Sequence, residues 1–159
     1  MHFRVALSFA DEHCSYVEEI ARALEGKVGK GSVFYYKDYI SRTTIDNMDT
    51  LLQNVYLRQS DLAVTFLSKE YQEKRWCQVE WQAIRERRNS GDKSGVMLCR
   101  FDDAEVDGVL PTVHGVHDCR PPQSSQVIAD RILQRLEQIS HKASSSQSQS
   151  GPERKPSTA

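Results

Sequence analysis

The chain has 159 residues, enough for one domain with a substantial core. Its formal net charge is -1 with 27% charged residues, so no global field draws it to nucleic acid or anionic lipid. Four widely spaced cysteines (Cys14, Cys77, Cys99, Cys119) form no C-x-x-C pair, the N-terminus lacks a signal-peptide pattern, and no apolar run approaches a membrane span; the expected compartment is a reducing cytoplasm, with free thiols.

Short apolar runs alternate with helical patterns. Phe3 to Phe9 predicts a buried strand. Ser15 to Leu24 predicts a helix with Val17, Ile20, Ala21 and Leu24 on one face, Ser15 and Glu18 as a capping box and Gly26 as its stop. Ser32 to Tyr36, aromatic and branched, predicts a second strand. Ile45, Met48, Leu52 and Val55 mark a second helical stripe. Leu62 to Leu67 is an unbroken apolar strand, and Trp76 to Arg88 the next helix. Gly95 to Phe101 predicts a fourth strand and Val113 to Cys119 a short fifth. Ser125 to Ile139 closes the domain with Ile128, Ile132, Leu136 and Ile139 on one face.

Continuous apolar strands between helices predict a parallel sheet covered on both faces. Right-handed crossovers then give a flavodoxin-like, doubly wound five-stranded α/β domain over residues 1–140. Ligands in such folds bind beyond the carboxyl ends of the strands. The loops there are Ser8 to Cys14, Lys37 to Thr44, Ser68 to Arg75 and Asp102 to Thr112. Residues 141–159 are Ser, Gln, Pro and charged; with too little apolar surface to offset ordering entropy, they predict a disordered tail.

Glu80 stands out on the third helix. Its helical neighbours at three and four residues are Trp76, Cys77, Ala83 and Ile84, and none can pair with a carboxylate. With Cys77, Trp81 and Ile84 as the core stripe, Trp76, Glu80, Ala83 and Arg87 form the adjacent flank. An acid among apolar groups is a candidate for catalysis or ligand binding, because desolvation shifts its proton affinity. From spacing alone, capping of a loop amide or pairing with a distant Arg is an equal reading. Arg85, Arg87 and Arg88 form the one tight basic cluster, which reads as a solvated helix face.

Val5-Ala6-Leu7-Ser8-Phe9-Ala10-Asp11-Glu12, Val33-Phe34-Tyr35-Tyr36-Lys37-Asp38, Val64-Thr65-Phe66-Leu67-Ser68-Lys69-Glu70-Tyr71 and Trp76-Cys77-x-x-Glu80, in this order, resemble a Toll/interleukin-1 receptor (TIR) domain. Phe101-Asp102-Asp103 and Gly108-Val109-Leu110-Pro111-Thr112-Val113 resemble its bacterial branch. The resemblance covers roughly residues 3 to 139 and implies the fold derived above. Many members cleave NAD as substrate, without a further cofactor, releasing nicotinamide and giving ADP-ribose, cyclic ADP-ribose isomers or base-exchanged products. The family's catalytic Glu, four residues after the Trp, maps onto Glu80.

The resemblance further implies that Ser8, Phe9 and Ala10 line the nucleotide pocket, that Asp38 and Tyr39 in the mobile loop Lys37 to Thr44 contact ribose or base, and that Trp76 stacks on a flat base. For Ser8, Phe9 and Ala10 the plain alternative is an ordinary strand-to-helix turn. The loop carries neither the Gly nor the Pro found in many relatives. The implied setting is antiphage defence, activation by TIR-TIR self-association and a downstream effector sensing the nucleotide. The rivals are a non-catalytic TIR interaction module and a host-directed effector.

Other motifs read as structural. His114-x-x-His117-x-Cys119 lacks the further ligand a structural zinc needs, so no metal site is expected. Cys14 beside His13 reads as an inert thiol. Neither a P-loop nor a G-x-G-x-x-G is present. The third strand ends Thr65-Phe66-Leu67-Ser68, without the terminal Asp of a phosphoacceptor receiver domain.

Overall fold

A computed structural model describes residues 1–42, 45–109 and 115–149. Five parallel strands, β1 (Phe3–Ser8), β2 (Val33–Phe34), β3 (Ser60–Leu67), β4 (Val96–Arg100) and β5 (His117–Asp118), form one sheet in the order β2-β1-β3-β4-β5. Helices α1 (Cys14–Val28) and α5 (Ser125–Gln149) cover one face. Helices α2 (Ile45–Leu57), α3 (Lys69–Glu73) and α4 (Arg75–Asn89) cover the other. This is the flavodoxin-like order expected from the sequence.

Alternation explains the unbroken apolar strands. In β3, Leu62, Val64 and Phe66 pack towards α1 and α5, while Ala63 and Leu67 pack towards α2 and α4. In β4, Met97 and Cys99 face the first layer, Val96 and Leu98 the second. Successive side chains point to opposite faces, so a strand buried on both sides is apolar at nearly every position, with Thr65 the buried polar exception in the middle of β3. Val17, Ile20, Ala21 and Leu24 form the buried stripe of α1 as expected. Each large apolar side chain so buried contributes roughly 1.5–3 kcal/mol.

Several boundaries differ from the sequence reading. A 3-10 turn, Asp11–His13, winds directly into α1, so the helix starts at Cys14 and Ser15 does not cap it. The helix passes through Gly26 and stops at Gly29, whose φ of 102° lies where glycine alone is unstrained. The β2 strand holds Val33 and Phe34 alone, because two further 3-10 turns, Tyr36–Asp38 and Ile40–Arg42, follow at once. The short helix α3 fills part of the loop Ser68 to Arg75, with the Ser68 hydroxyl accepting from the Tyr71 amide. Helix α5 continues to Gln149, past the expected boundary at residue 140. Residues 110–114, which include His114 and most of the Gly108 to Val113 segment, and residues 150–159 lie outside the described residues, as do Thr43 and Thr44.

The basic cluster is not uniformly solvated. Arg87 is buried and donates to the carbonyls of Tyr56, Ser60 and Asp61, to the Ser60 hydroxyl and to Asp92. The guanidinium thereby ties α4 to the end of α2 and the start of β3.

Candidate active site

The strand order reverses between β1 and β3. The chain leaves β1 for the edge strand β2 and returns to build β3, β4 and β5 on the other side. Doubly wound folds place their ligands at this point. Ser8, the last residue of β1, lies there in register with Thr65 of β3.

Helix α4 enters beside Ser8. One turn in, Glu80 is only 4% exposed, and its Oε2 accepts a 2.5 Å hydrogen bond from the Ser8 hydroxyl. The Ser8 oxygen also lies 2.6 Å from the Tyr71 hydroxyl of α3. The end of β1 is pinned by Tyr56, whose hydroxyl donates to the Leu7 carbonyl at 2.6 Å. Among the described residues no cation compensates the Glu80 carboxylate. Burial therefore dominates and pushes its pKa up to about 8; the Ser8 hydrogen bond pulls the other way, and the negative Asp11 adds to the rise.

Glu80 opens into a cavity of about 250 Å³. The buried Phe9, Leu52 and Cys77 form its deep lining. Tyr36 supplies a wall, oriented by a hydrogen bond from its hydroxyl to Asp11. Ile40 and Trp76 are 49% and 38% exposed and mark the rim. Lys74, also lining the cavity, pairs with Glu12 at 2.7 Å. Drug-sized sites typically enclose roughly 300–1,000 Å³, so this cavity lies just below the small end of that range.

The structure thus gathers Ser8, Phe9 and Trp76 around Glu80. Ala10 is buried nearby, where its carbonyl accepts from the His13 amide at 3.0 Å and closes the turn after β1. Asp38 and Tyr39 go elsewhere. Asp38 takes the Arg22 guanidinium at 2.9 and 3.0 Å in a separate groove. Tyr39 packs on Phe3 and Phe34, with ring centroids 5.7 and 5.1 Å away. The 3-10 turns after β2 account for this: they aim Tyr36 and Ile40 at the cavity and carry Asp38 and Tyr39 past it.

Tyr36, Ile40, Tyr71, Lys74 and Cys77 belong to the site and were not singled out from the sequence. Cys77 was legible as an inward position beside Glu80. Tyr71 could have been found only through the Ser8 contact. The Cys77 thiol donates to the Phe9 carbonyl at 3.5 Å, and burial, then the nearby Glu80, pushes its pKa up, so it stays protonated. The His13 ring lies flat on Phe101 at 3.8 Å, while Cys14 packs on the α1 layer. Cys119 lies beside Cys99 in the same layer; all four thiols are free.

Residues 5–126 match the family model described as TIR domain. The chain belongs to the TIR-domain family. This TIR domain is also 30% identical, over 136 residues, to the 3′ cyclic ADP-D-ribose synthase AaTIR of Aquimarina amphilecti. The matched region is 84% of this chain and 40% of that relative, so the TIR domain spans well under half the relative's length. Among its described residues, no helix is long and apolar enough to cross a membrane, and no group of His, Cys, Asp and Glu is arranged to hold a metal.

Proposed function

We propose that this TIR domain cleaves the nicotinamide–ribose bond of NAD, with Glu80 as the catalytic carboxylate. The observation that carries this reading is the buried Glu80 lining an apolar cavity, held by one hydroxyl and, among the described residues, by no cation. The bond from the ribose carbon to the pyridinium nitrogen breaks with both electrons going to nitrogen. Nicotinamide leaves neutral, so no second acid has to protonate it. The ribose becomes oxocarbenium-like, as in glycoside hydrolysis, and a carboxylate in a water-poor site stabilises that charge. Water attacking the cation gives ADP-ribose after loss of a proton. A nucleophile within the same nucleotide gives a cyclic isomer, the product class named for the Aquimarina relative.

The other groups have places in this scheme. Phe9 and Tyr36 bound the slot for the nicotinamide ring, and Trp76 stacks at the rim. Lys74 exchanges Glu12 for the diphosphate. The positive pyridinium, once in the slot, draws Glu80 to its ionised form, as any near cation does for a carboxylate. Ile40 and Trp76, apolar and exposed beside the opening, are covered by a neighbouring copy, so that assembly closes the site and activates it. The setting proposed is a bacterial cytoplasm, in defence against phage, with a downstream effector sensing the product.

The test is nicotinamide release from NAD by purified protein, dilute and forcibly clustered, with mass spectrometry of the products. Release that rises on clustering supports the enzyme. No NAD loss when clustered leaves an interaction module.

A further inference from the structure

Four polar groups form a buried row where β1, β3, α3 and α4 meet: Thr65, Tyr71, Ser8 and Glu80. The Tyr71 hydroxyl lies 2.6 Å from Ser8 Oγ, and Ser8 Oγ donates to Glu80 Oε2 at 2.5 Å. Thr65 Oγ1, beside Tyr71, meets no partner with hydrogen-bond geometry. With Glu80 ionised, counting hydrogens fixes the direction of the row. A serine hydroxyl has one hydrogen, and it goes to the carboxylate. Its lone pair is then free to accept the Tyr71 hydrogen. Tyr71 is itself anchored, because the Ser68 hydroxyl accepts its backbone amide at 3.1 Å and its ring is fully buried.

We propose that Tyr71 is a positioning residue: by donating to Ser8 it locks the Ser8 hydroxyl onto Glu80 Oε2 and leaves Oε1 as the oxygen offered to the ribose. The inference rests on the reading of Glu80 as the catalytic carboxylate. Chained donors strengthen one another in a low-dielectric interior, and bonds ending on an anion are about twice as strong as neutral ones. Tyr71 therefore favours the ionised form of Glu80 over the acid form, and opposes the effect of burial.

The titratable groups facing Glu80 are Asp11, Tyr36, Tyr56, Tyr71 and Cys77. Burial keeps the three tyrosines and the thiol neutral, so Asp11 is the one charge among them, and it opposes ionisation. Lys74, at the cavity edge, is paired with Glu12. Within this set, the donor chain through Ser8 is what favours the carboxylate.

The experiment is a carbon-13 titration of the Glu80 carboxyl in the full chain, with steady-state kinetics beside it. Tyr71→Phe should move the Glu80 inflection up by about half a unit to one unit, the size of a charge-assisted bond weakened at second hand. It should lower kcat about tenfold and leave KM within about twofold, since the oxygen facing the ribose is misplaced while the slot is intact. Ser8→Ala should shift the inflection further, and adding Tyr71→Phe to it should change nothing more, because Tyr71 acts through Ser8. Site-specific 3,5-difluorotyrosine at position 71, a stronger donor of nearly the same size, should move the inflection down and keeps the test open if the Phe variant does not fold. An unmoved inflection in these variants, or additive shifts in the double variant, overturns the proposal. The titration needs no turnover, so absence of NAD cleavage by the wild type would count against the enzymatic reading without deciding the role of Tyr71.

Discussion

Ser8 and Glu80 are 72 positions apart and joined by a 2.5 Å hydrogen bond at the switch point of the sheet. The bond links the carboxyl end of β1, beside the switch point where a doubly wound fold opens its ligand crevice, to the second turn of α4. It also sets the acid against its surroundings: one donor favours the charge, while burial and Asp11 oppose it.

On the proposed reading, that balance makes activity depend on pH. The reactive form would be the carboxylate, whose pKa burial pushes up to about 8 in the free protein. The kcat/KM for NAD cleavage by the clustered protein should rise with pH through that region. The kcat profile, which reports the loaded site, should inflect at lower pH because the bound pyridinium favours the anion. Coincident, pH-independent profiles from pH 6 to 9 would contradict this.

Stability should depend on pH with the opposite sign. The folded-state pKa of Glu80 is raised above the ordinary carboxylate value of 4.5, so the folded chain keeps a proton that the unfolded chain has released. The stabilisation this gives is complete below about 4.5 and is lost as pH rises to about 8, with a slope of at most about 1.4 kcal/mol per pH unit. Glu80→Gln removes the ionisation. Urea unfolding should show the variant gaining on the wild type as pH goes from 5 to 9, and parallel curves would exclude the assignment.

Arg87 should matter for folding and not for turnover. Its guanidinium serves three carbonyls and one hydroxyl in a buried position, remote from the cavity lining. Arg87→Met leaves these acceptors without donors and should cost about 2–4 kcal/mol in chemical denaturation. At temperatures where the variant is folded, its KM for NAD should match the wild type. A surface-like loss below about 0.5 kcal/mol would show that the acceptors find water instead.

Ile40 should report assembly. It is half exposed at the cavity rim and takes little part in the core. Ile40→Asp should leave thermal stability unchanged and lower the gain in NAD cleavage on clustering by tenfold or more, since a charge there has to be desolvated under a neighbouring copy. Light scattering of the clustered protein, wild type against variant, gives the matching physical readout.

The fold was legible because its signal is periodic. The unbroken apolar runs of β3 and β4, and the stripe Val17, Ile20, Ala21, Leu24, require two covering layers. The short elements were not legible. Tyr36 reads as strand by composition, yet its hydroxyl goes to Asp11 and a 3-10 turn starts there, ending β2 at Phe34.

The site was legible in part, for a related reason. Spacing along a helix shows which partners Glu80 lacks locally, and that marked the residue. It cannot show partners from other elements, so Ser8 as hydrogen-bond donor and Tyr71 behind it emerge only with the sheet assembled. Arg87 was read as solvated for the same cause: its acceptors are backbone carbonyls around the start of β3, which no side-chain pattern displays. Asp38 and Tyr39 sit in the right loop, but their direction depends on two turns that the sequence did not announce.

The most direct measurement of the central claim is nicotinamide release from NAD by the forcibly clustered domain, wild type against Glu80→Gln, with folding of both verified by circular dichroism. The expected result is sustained release by the wild type and at least a thousandfold lower rate in the variant, whose neutral amide cannot balance the ribosyl cation. Equal release by the two folded proteins would contradict Glu80 as the catalytic carboxylate.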